Sequence, residues 1–414
     1  MALTRRDWLG AGFAACSLGA GFAPARAGTA SPRWVVVLLR GAVDGLSVCA
    51  PYGDPHYAAD RPSIALPAPG QDQGLIDLDG RFGLHPALAP LAPLWAQGEL
   101  GFVHACGAPT SSRSHFEAQD ELEAGTPGVK TTATGWMARL MGDAGRVRAV
   151  YTAPARPKLL TGGAGAVAAL PGPRPASQPA AGNPRAQTLR EGLDLLYAQD
   201  PRYAQAWAEA RQGREQVNAA LEAGMGGMNA MAAEMQAADR GAPGAGTFPA
   251  TARRLAQVMR ADASVQFAVA ELGGWDTHAR QGAAQGALAG RLGALAEGLA
   301  VLARELGPLW RDTVVTVVSE FGRTVRENGT GGTDHGHGNA LWLLGGAVQG
   351  GRVGGEWPGL EPSARFEGRD LAITTDYRAV MAGVAARHLG LADARLTALF
   401  PGYRGPVQTA WVRG

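Results

Sequence analysis

The sequence predicts an α/β protein with a mainly parallel central sheet and helices on both of its faces. Two features carry that prediction: five short, continuous apolar runs, and helical hydrophobic spacing between them. Runs that are apolar without alternation belong to strands covered on both sides. A third feature points toward function. Polar clusters flank these runs, and open α/β sheets bind ligands beyond the carboxyl ends of their strands.

The first run, "RWVVVLLRG" (33–41), is β-branched and bounded by Pro32 and Gly41, which suits one buried strand. "LGFVHACG" (100–107), "VQFAVAELGG" (265–274), "TVVTVVSEFG" (313–322) and "LWLLGG" (341–346) read the same way. Helices are expected over 84–97, 115–124, 187–222, 250–260, 284–306 and 376–390. "LPGPRPASQPAAGNPR" (170–185) is too rich in proline for either element and reads as a surface loop. The stretch 187–246 reads as a Met/Ala/Gly-rich helical insertion, with Met225, Met228, Met231 and Met235 on one helical face. Methionine there suits adaptable packing; thioether binding of Cu(I) is the alternative.

The N-terminus speaks to compartment. "TRRDWLG" sets Arg5 and Arg6 ahead of a weakly apolar stretch, and Ala25-Arg26-Ala27 offers a small-x-small cleavage site. These features predict a twin-arginine export signal over 1–27 and a single α/β domain over 28–414. Cys16 would be a lipoprotein cysteine only behind a poor lipobox, Phe13-Ala14-Ala15. No later run supplies the roughly twenty apolar residues of a membrane span, so the expectation is a soluble periplasmic or secreted protein. The formal charge of +2 predicts no electrostatic capture of nucleic acid or anionic lipid. Cys49 and Cys106, which remain after cleavage, are either paired in an oxidising compartment or simply buried.

Five polar clusters are candidates for chemistry. The first strand ends in "RGAVDGLS", which offers Asp44. In "GGWDTH", Asp276 and His278 leave the same face of an extended backbone, a pair that suits a divalent cation; a turn cap and a helix start are the structural alternatives. "SEFGRT" offers Glu320, and "GGTDHGHGNALWLLGG" (331–346) offers Asp334, His335 and His337. In "GAPTSSRSHFEAQD", Ser114 and Glu117 have capping-box spacing. A helix start with Arg113 beside it also suits an anion, so Ser114 is a candidate nucleophile as well as a cap.

Together with "LLRGAVDGLSVCAPYGDPHYAADRPSIALP" and "FGLHPALAPLAPLWAQGELGFVHACG", these motifs resemble the exported bacterial family built on domain of unknown function 1501. Its members have an alkaline-phosphatase-like core, a three-layer sandwich. The resemblance spans nearly the whole chain. It implies a divalent metal (zinc, manganese, magnesium or calcium) held by Asp44, Asp276, His278, Asp334 and His335. Ser114 would be the nucleophile, Arg113 the anion clamp, and Glu320 a further ligand or general base. It departs from the superfamily pattern at Phe321, where a histidine ligand is usual, and Cys106 lies one residue too far from Pro109 for a sulfatase motif. The expected function is hydrolysis of a small anionic phosphate or sulfate ester. The alternative is a non-catalytic envelope protein that binds an envelope component or a protein partner.

Overall fold

The computed structural model describes residues 31–142, 148–163, 165–170 and 236–413. The expected export signal, nearly all of the proline-rich loop, the expected helix 187–222 and the four spaced methionines lie outside the described residues.

All five apolar runs form strands of one nine-stranded sheet. In chain order its strands are β1 (Arg33–Leu39), β2 (Leu100–Gly107), β3 (Arg148–Tyr151), β4 (Ala166–Ala169), β5 (Val265–Leu272), β6 (Thr313–Ser319), β7 (Asn339–Leu344), β8 (Arg352–Gly354) and β9 (Thr375–Asp376). Across the sheet they run β8-β2-β7-β6-β1-β5-β3-β4, with β9 also paired to β2. The strands not expected, β3, β4, β8 and β9, have four residues or fewer, too short for a periodic signal. Every residue of β1 is buried, as its unbroken apolar run requires. Its alternate side chains feed two cores: Val35, Val37 and Leu39 on one face, Trp34, Val36 and Leu38 on the other.

Helices cover both faces. α1 (His115–Ala124), α2 (Trp136–Met141) and α5 (Tyr377–Arg387) send Leu122, Met137 and Val380 into the second core. α3 (Phe248–Ala261) and α4 (Ala287–Leu306) send Leu255 and Leu295 into the first. The stretch expected as a helix over 84–97 is instead a 3-10 turn, Pro86–Leu91, followed by a short α-helix, Ala92–Ala96. Pro86, Pro90 and Pro93 carry no N–H, so a regular α-helical ladder cannot run through them. Cys49 and Cys106 are buried and free, not paired.

Pairing directions decide where the chemistry gathers. β1 runs parallel to β5 and β6, which places Leu39 opposite both Leu272 and Ser319. β7 runs antiparallel to β6 and β2, so its first residue, Asn339, sits opposite Cys106 near the end of β2. The loop entering β7 therefore lies at the same edge as the loops leaving β1, β2, β5 and β6.

Two glycines of α4 make a test of this packing. Gly290 is exposed with open space where a Cβ would stand, whereas a Cβ on Gly298 would lie 2.2 Å from the buried ring of Phe248. Gly290→Ala is expected to stabilise by about 0.5–1 kcal/mol through helix propensity. Gly298→Ala is expected to destabilise by about 1–3 kcal/mol through overpacking. Urea midpoints of the two variants, moving in opposite directions, check the α3–α4 contact.

Candidate metal centre

Four side chains meet at that edge of the sheet. Asp276 and His278 leave the end of β5, His115 opens α1 beyond β2, and His335 stands in the loop entering β7. Among the described residues, His115, Asp276 and His335 have ligand atoms all within 4.8 Å of one another. Nε2 of His335 lies 2.9 Å from Nε2 of His115 and 3.0 Å from Nε2 of His278. Asp276 Oδ1 is 3.0 Å from His278 Nε2 and 3.3 Å from His335 Nε2, and Oδ2 is 3.6 Å from His115 Nε2. Nitrogens about 2.0–2.1 Å from a tetrahedral zinc ion stand about 3.3–3.4 Å apart; the four groups gather near that span, the two imidazole pairs slightly inside it at hydrogen-bond separation.

The far side of each imidazole settles its tautomer. His115 Nδ1 faces Glu320 Oε1 at 2.7 Å, His278 Nδ1 faces Asp334 Oδ1 at 3.1 Å, and His335 Nδ1 faces the Arg113 carbonyl at 2.9 Å. Each of these partners is an acceptor, so each Nδ1 carries a proton, and in its neutral form each imidazole presents a lone pair on Nε2. In those neutral forms three lone pairs and a carboxylate face one another, with Arg323 Nη1 donating to Asp276 Oδ1 beside them. Asp276 Oδ2 is buried and has no hydrogen-bond partner. A cation satisfies all four groups, and outward acceptors on the ligand imidazoles are the usual support of such a site.

The charges agree. Burial lowers the His115 pKa, but hydrogen bonds and charge from Asp276 and Glu320 outweigh it and push it up to about 9. Burial raises the Asp276 carboxyl, yet the three imidazoles and Arg323 hold it far below the usual carboxylate range. Glu320 is likewise held low against its burial, chiefly by His115. Without a cation His115 therefore keeps a second proton, on Nε2, at neutral pH; a cation at the cluster would displace it, after which Asp276, Glu320 and Asp334 outweigh Arg323 by two negative charges.

The loop backbone makes this convergence possible. The stretch after β6 bridges the loop before β7 through Arg323 and His335, with Gly336 N–H donating to the Gly322 carbonyl at 2.8 Å. A Cβ on Gly336 would stand 2.4 Å from the Arg323 backbone, so only glycine lets the two segments approach this closely.

The candidate residues sort into three groups. Asp276, His278 and His335 come together at the cluster. Asp334 and Glu320 stand behind it: Asp334 holds His278, and Glu320 holds His115 while also accepting from Gly41 N–H at 2.8 Å and Gln119 Nε2 at 2.9 Å. Glu320 is 3 % exposed, and its contacts are those of a group that supports His115. Asp44 is apart from the cluster. Burial raises its carboxyl, but Arg61, Ser47 and Gln281 hold it low, and they engage both of its oxygens. Arg113 contributes its carbonyl, while its guanidinium is turned to Asp370 and Glu367. Ser114 is exposed at the N-cap beside His115. Its side chain makes no cap hydrogen bond, and Glu117 reaches Ser112 Oγ and Lys130 instead, so the capping box is not formed. His337 stacks on Phe366, away from the cluster.

The residue missed in the sequence is His115. It follows the end of β2, the same edge rule that selected Asp276, but the capping-box spacing drew attention to its neighbours. It also answers the departure at Phe321: that ring packs 4.8 Å from the His115 ring as a wall of the site, and His115 supplies an imidazole that position 321 does not.

Fold and site thus define an α/β protein with a three-histidine, one-aspartate cluster at the ligand-binding edge of a mostly parallel sheet. The chain belongs to the family described as Protein of unknown function (DUF1501), whose profile matches residues 31–400. Among curated proteins none matches. A protein of the alkaline phosphatase superfamily from Vibrio parahaemolyticus is similar in structure at 10 % identity and a TM-score of 0.37, over 78 % of this chain and 62 % of that one. The chain thus spans less than two thirds of that neighbour's length. The lipoteichoic acid synthase LtaP from Listeria monocytogenes is similar at 11 % identity and a TM-score of 0.33, over 80 % and 68 % of the two chains. Likenesses this distant carry nothing about chemistry.

Removing His115 is expected to abolish stoichiometric cation binding, whereas Asp44→Asn is expected to retain it. Elemental analysis of the folded variants checks this, and equal loss in both would return Asp44 to the ligand set. Glu320→Gln, which weakens the support of His115, is expected to lower metal affinity by about 10–100-fold.

Proposed function

We propose that the protein is an exported, metal-dependent hydrolase of phosphate or sulfate esters, working with one cation held by His115, His278, His335 and Asp276. The observation that carries the metal part is the set of three Nε2 lone pairs turned onto Asp276, each fixed by an acceptor behind it. Three imidazoles and one carboxylate suit zinc better than magnesium or calcium, which favour all-oxygen shells. When bound, such an ion polarises an ester oxygen and favours ionisation of a nearby hydroxyl.

The chain's own groups supply the rest. Ser114 is the candidate nucleophile: it is exposed, free of a capping bond, and adjacent in sequence to the ligand His115. His278 and His335 each keep 14 % side-chain exposure, which leaves the cluster a solvent-facing side for an anionic substrate. Phe321, itself buried, packs apolar surface against the rings of His115 and His335. Arg5-Arg6 and the Ala25-Arg26-Ala27 cleavage pattern support export through a twin-arginine signal over residues 1–27, and no helix among the described residues is long and apolar enough to cross a membrane.

One observation favours a second reading, a non-catalytic envelope-binding protein. Asp44, the first-strand aspartate that the resemblance assigns to metal, is locked to the fully buried Arg61, so a two-metal arrangement lacks that ligand. Aryl phosphate and aryl sulfate turnover by the zinc-loaded, folded protein separates the readings. The hydrolase reading expects turnover that is lost in His278→Ala and falls at least about 100-fold in Ser114→Ala, on the scale of losing an activated nucleophile. A fully loaded protein with no turnover on either ester class would support the binding reading.

A further inference from the structure

The arginine beside Asp276 has a use that the ligand set alone does not explain. Arg323 is 1 % exposed, and its guanidinium is shared between two partners. Nη1 donates to Asp276 Oδ1, Nη2 donates to the Thr333 carbonyl, and Nε donates to Thr333 Oγ1 at 3.1 Å. An arginine facing a carboxylate squarely engages both oxygens through a two-pronged fork. Here Thr333 takes one edge of the fork, so only Oδ1 of Asp276 is held.

Thr333 is itself anchored. Its Oγ1 lies 3.1 Å from Gln281 Oε1, which also accepts from Thr277 Oγ1 at 2.6 Å, while Gln281 Nε2 donates to Asp44 at 2.7 Å. The backbone bridge between Arg323 and His335 joins the same unit to a ligand imidazole. Arg323 therefore cannot slide along the carboxylate without breaking a buried chain of hydrogen bonds. The other oxygen, Oδ2, remains buried without a partner and faces His115 Nε2 at 3.6 Å.

We propose that Arg323 is a positioning residue that makes Asp276 a one-oxygen ligand: by anchoring Oδ1, which faces His278 and His335 Nε2 at 3.0 and 3.3 Å, it fixes the carboxylate so that both oxygens cannot turn onto the cation together. This rests on the metal reading of the cluster and is independent of ester hydrolysis. Its chemical consequence is a coordination number kept low, with a position left for a further oxygen ligand on the exposed side.

Cobalt(II) is the probe, read by its visible absorption and by its dissociation constant in competition with a chelator. Arg323→Met is expected to bind cobalt about 10–100-fold more weakly, as losses of outer-shell partners do. Its bands are also expected to weaken as the released carboxylate adds a second oxygen. Arg323→Lys is expected to recover part of the affinity but not the spectrum, because an ammonium supplies charge without the fork. Thr333→Val, which keeps shape and removes one acceptor, is expected to move both readouts in the same direction by a smaller factor, and it carries the test if Arg323→Met does not fold. Wild-type affinity and an unchanged spectrum in a folded Arg323→Met, or in Thr333→Val when that variant stands alone, would overturn the proposal. Failure of the wild-type protein itself to take up cobalt would instead bring down the metal reading, and this proposal with it.

Discussion

The constraint on which the site depends is the outward direction of three imidazole protons. Glu320, Asp334 and the Arg113 carbonyl each accept from an Nδ1, and that alone turns three Nε2 lone pairs inward onto Asp276. Imidazole nitrogens and a carboxylate forced this close together require a positive charge among them, a proton on His115 or a cation in its place. The fold supplies the force. Glu320 is fixed by the Gly41 amide, Gln119 and Ser319, and the carboxyl ends of β1, β5 and β6 hold all of this in register. Remove the sheet edge and the histidines have no reason to point at one another.

Much of this was legible in the sequence, and the reasons are physical. Strands covered on both faces leave continuous apolar runs, so all five long strands could be read with nearly correct ends. The edge rule then selected Asp276, His278 and His335 from their positions next to those runs. What the sequence hides is orientation. Asp44 stands at the end of a strand like the others, but Arg61, seventeen positions later, folds back onto its carboxylate. A buried guanidinium bonds both oxygens, and no local pattern announces that contact. The antiparallel course of β7 is also invisible in its composition, yet it is what brings a loop that precedes a strand to the edge where the other loops follow theirs.

Glu320 and Asp334 show a related limit. Both were recognised as carboxylates in the right place, and residue type alone cannot separate a metal ligand from the group behind one. Burial and the partner atom make that distinction: each carboxylate meets an Nδ1, so each shapes a ligand. Arg323 completes the pattern from the opposite side by occupying one oxygen of Asp276. The resulting cluster is rich in nitrogen, with three imidazoles around one carboxylate. It differs from the all-oxygen environments preferred by magnesium and calcium. This chemistry is more specific than the family description, which assigns no reaction.

The most direct test of the central claim is anomalous diffraction from crystals grown with zinc, measured at the zinc absorption edge. One strong peak is expected about 2.0–2.1 Å from the Nε2 atoms of His115, His278 and His335, with Asp276 completing the shell through one carboxylate oxygen. A peak coordinated by Nδ1 atoms, or a zinc-free cluster with the imidazoles turned apart, would contradict it.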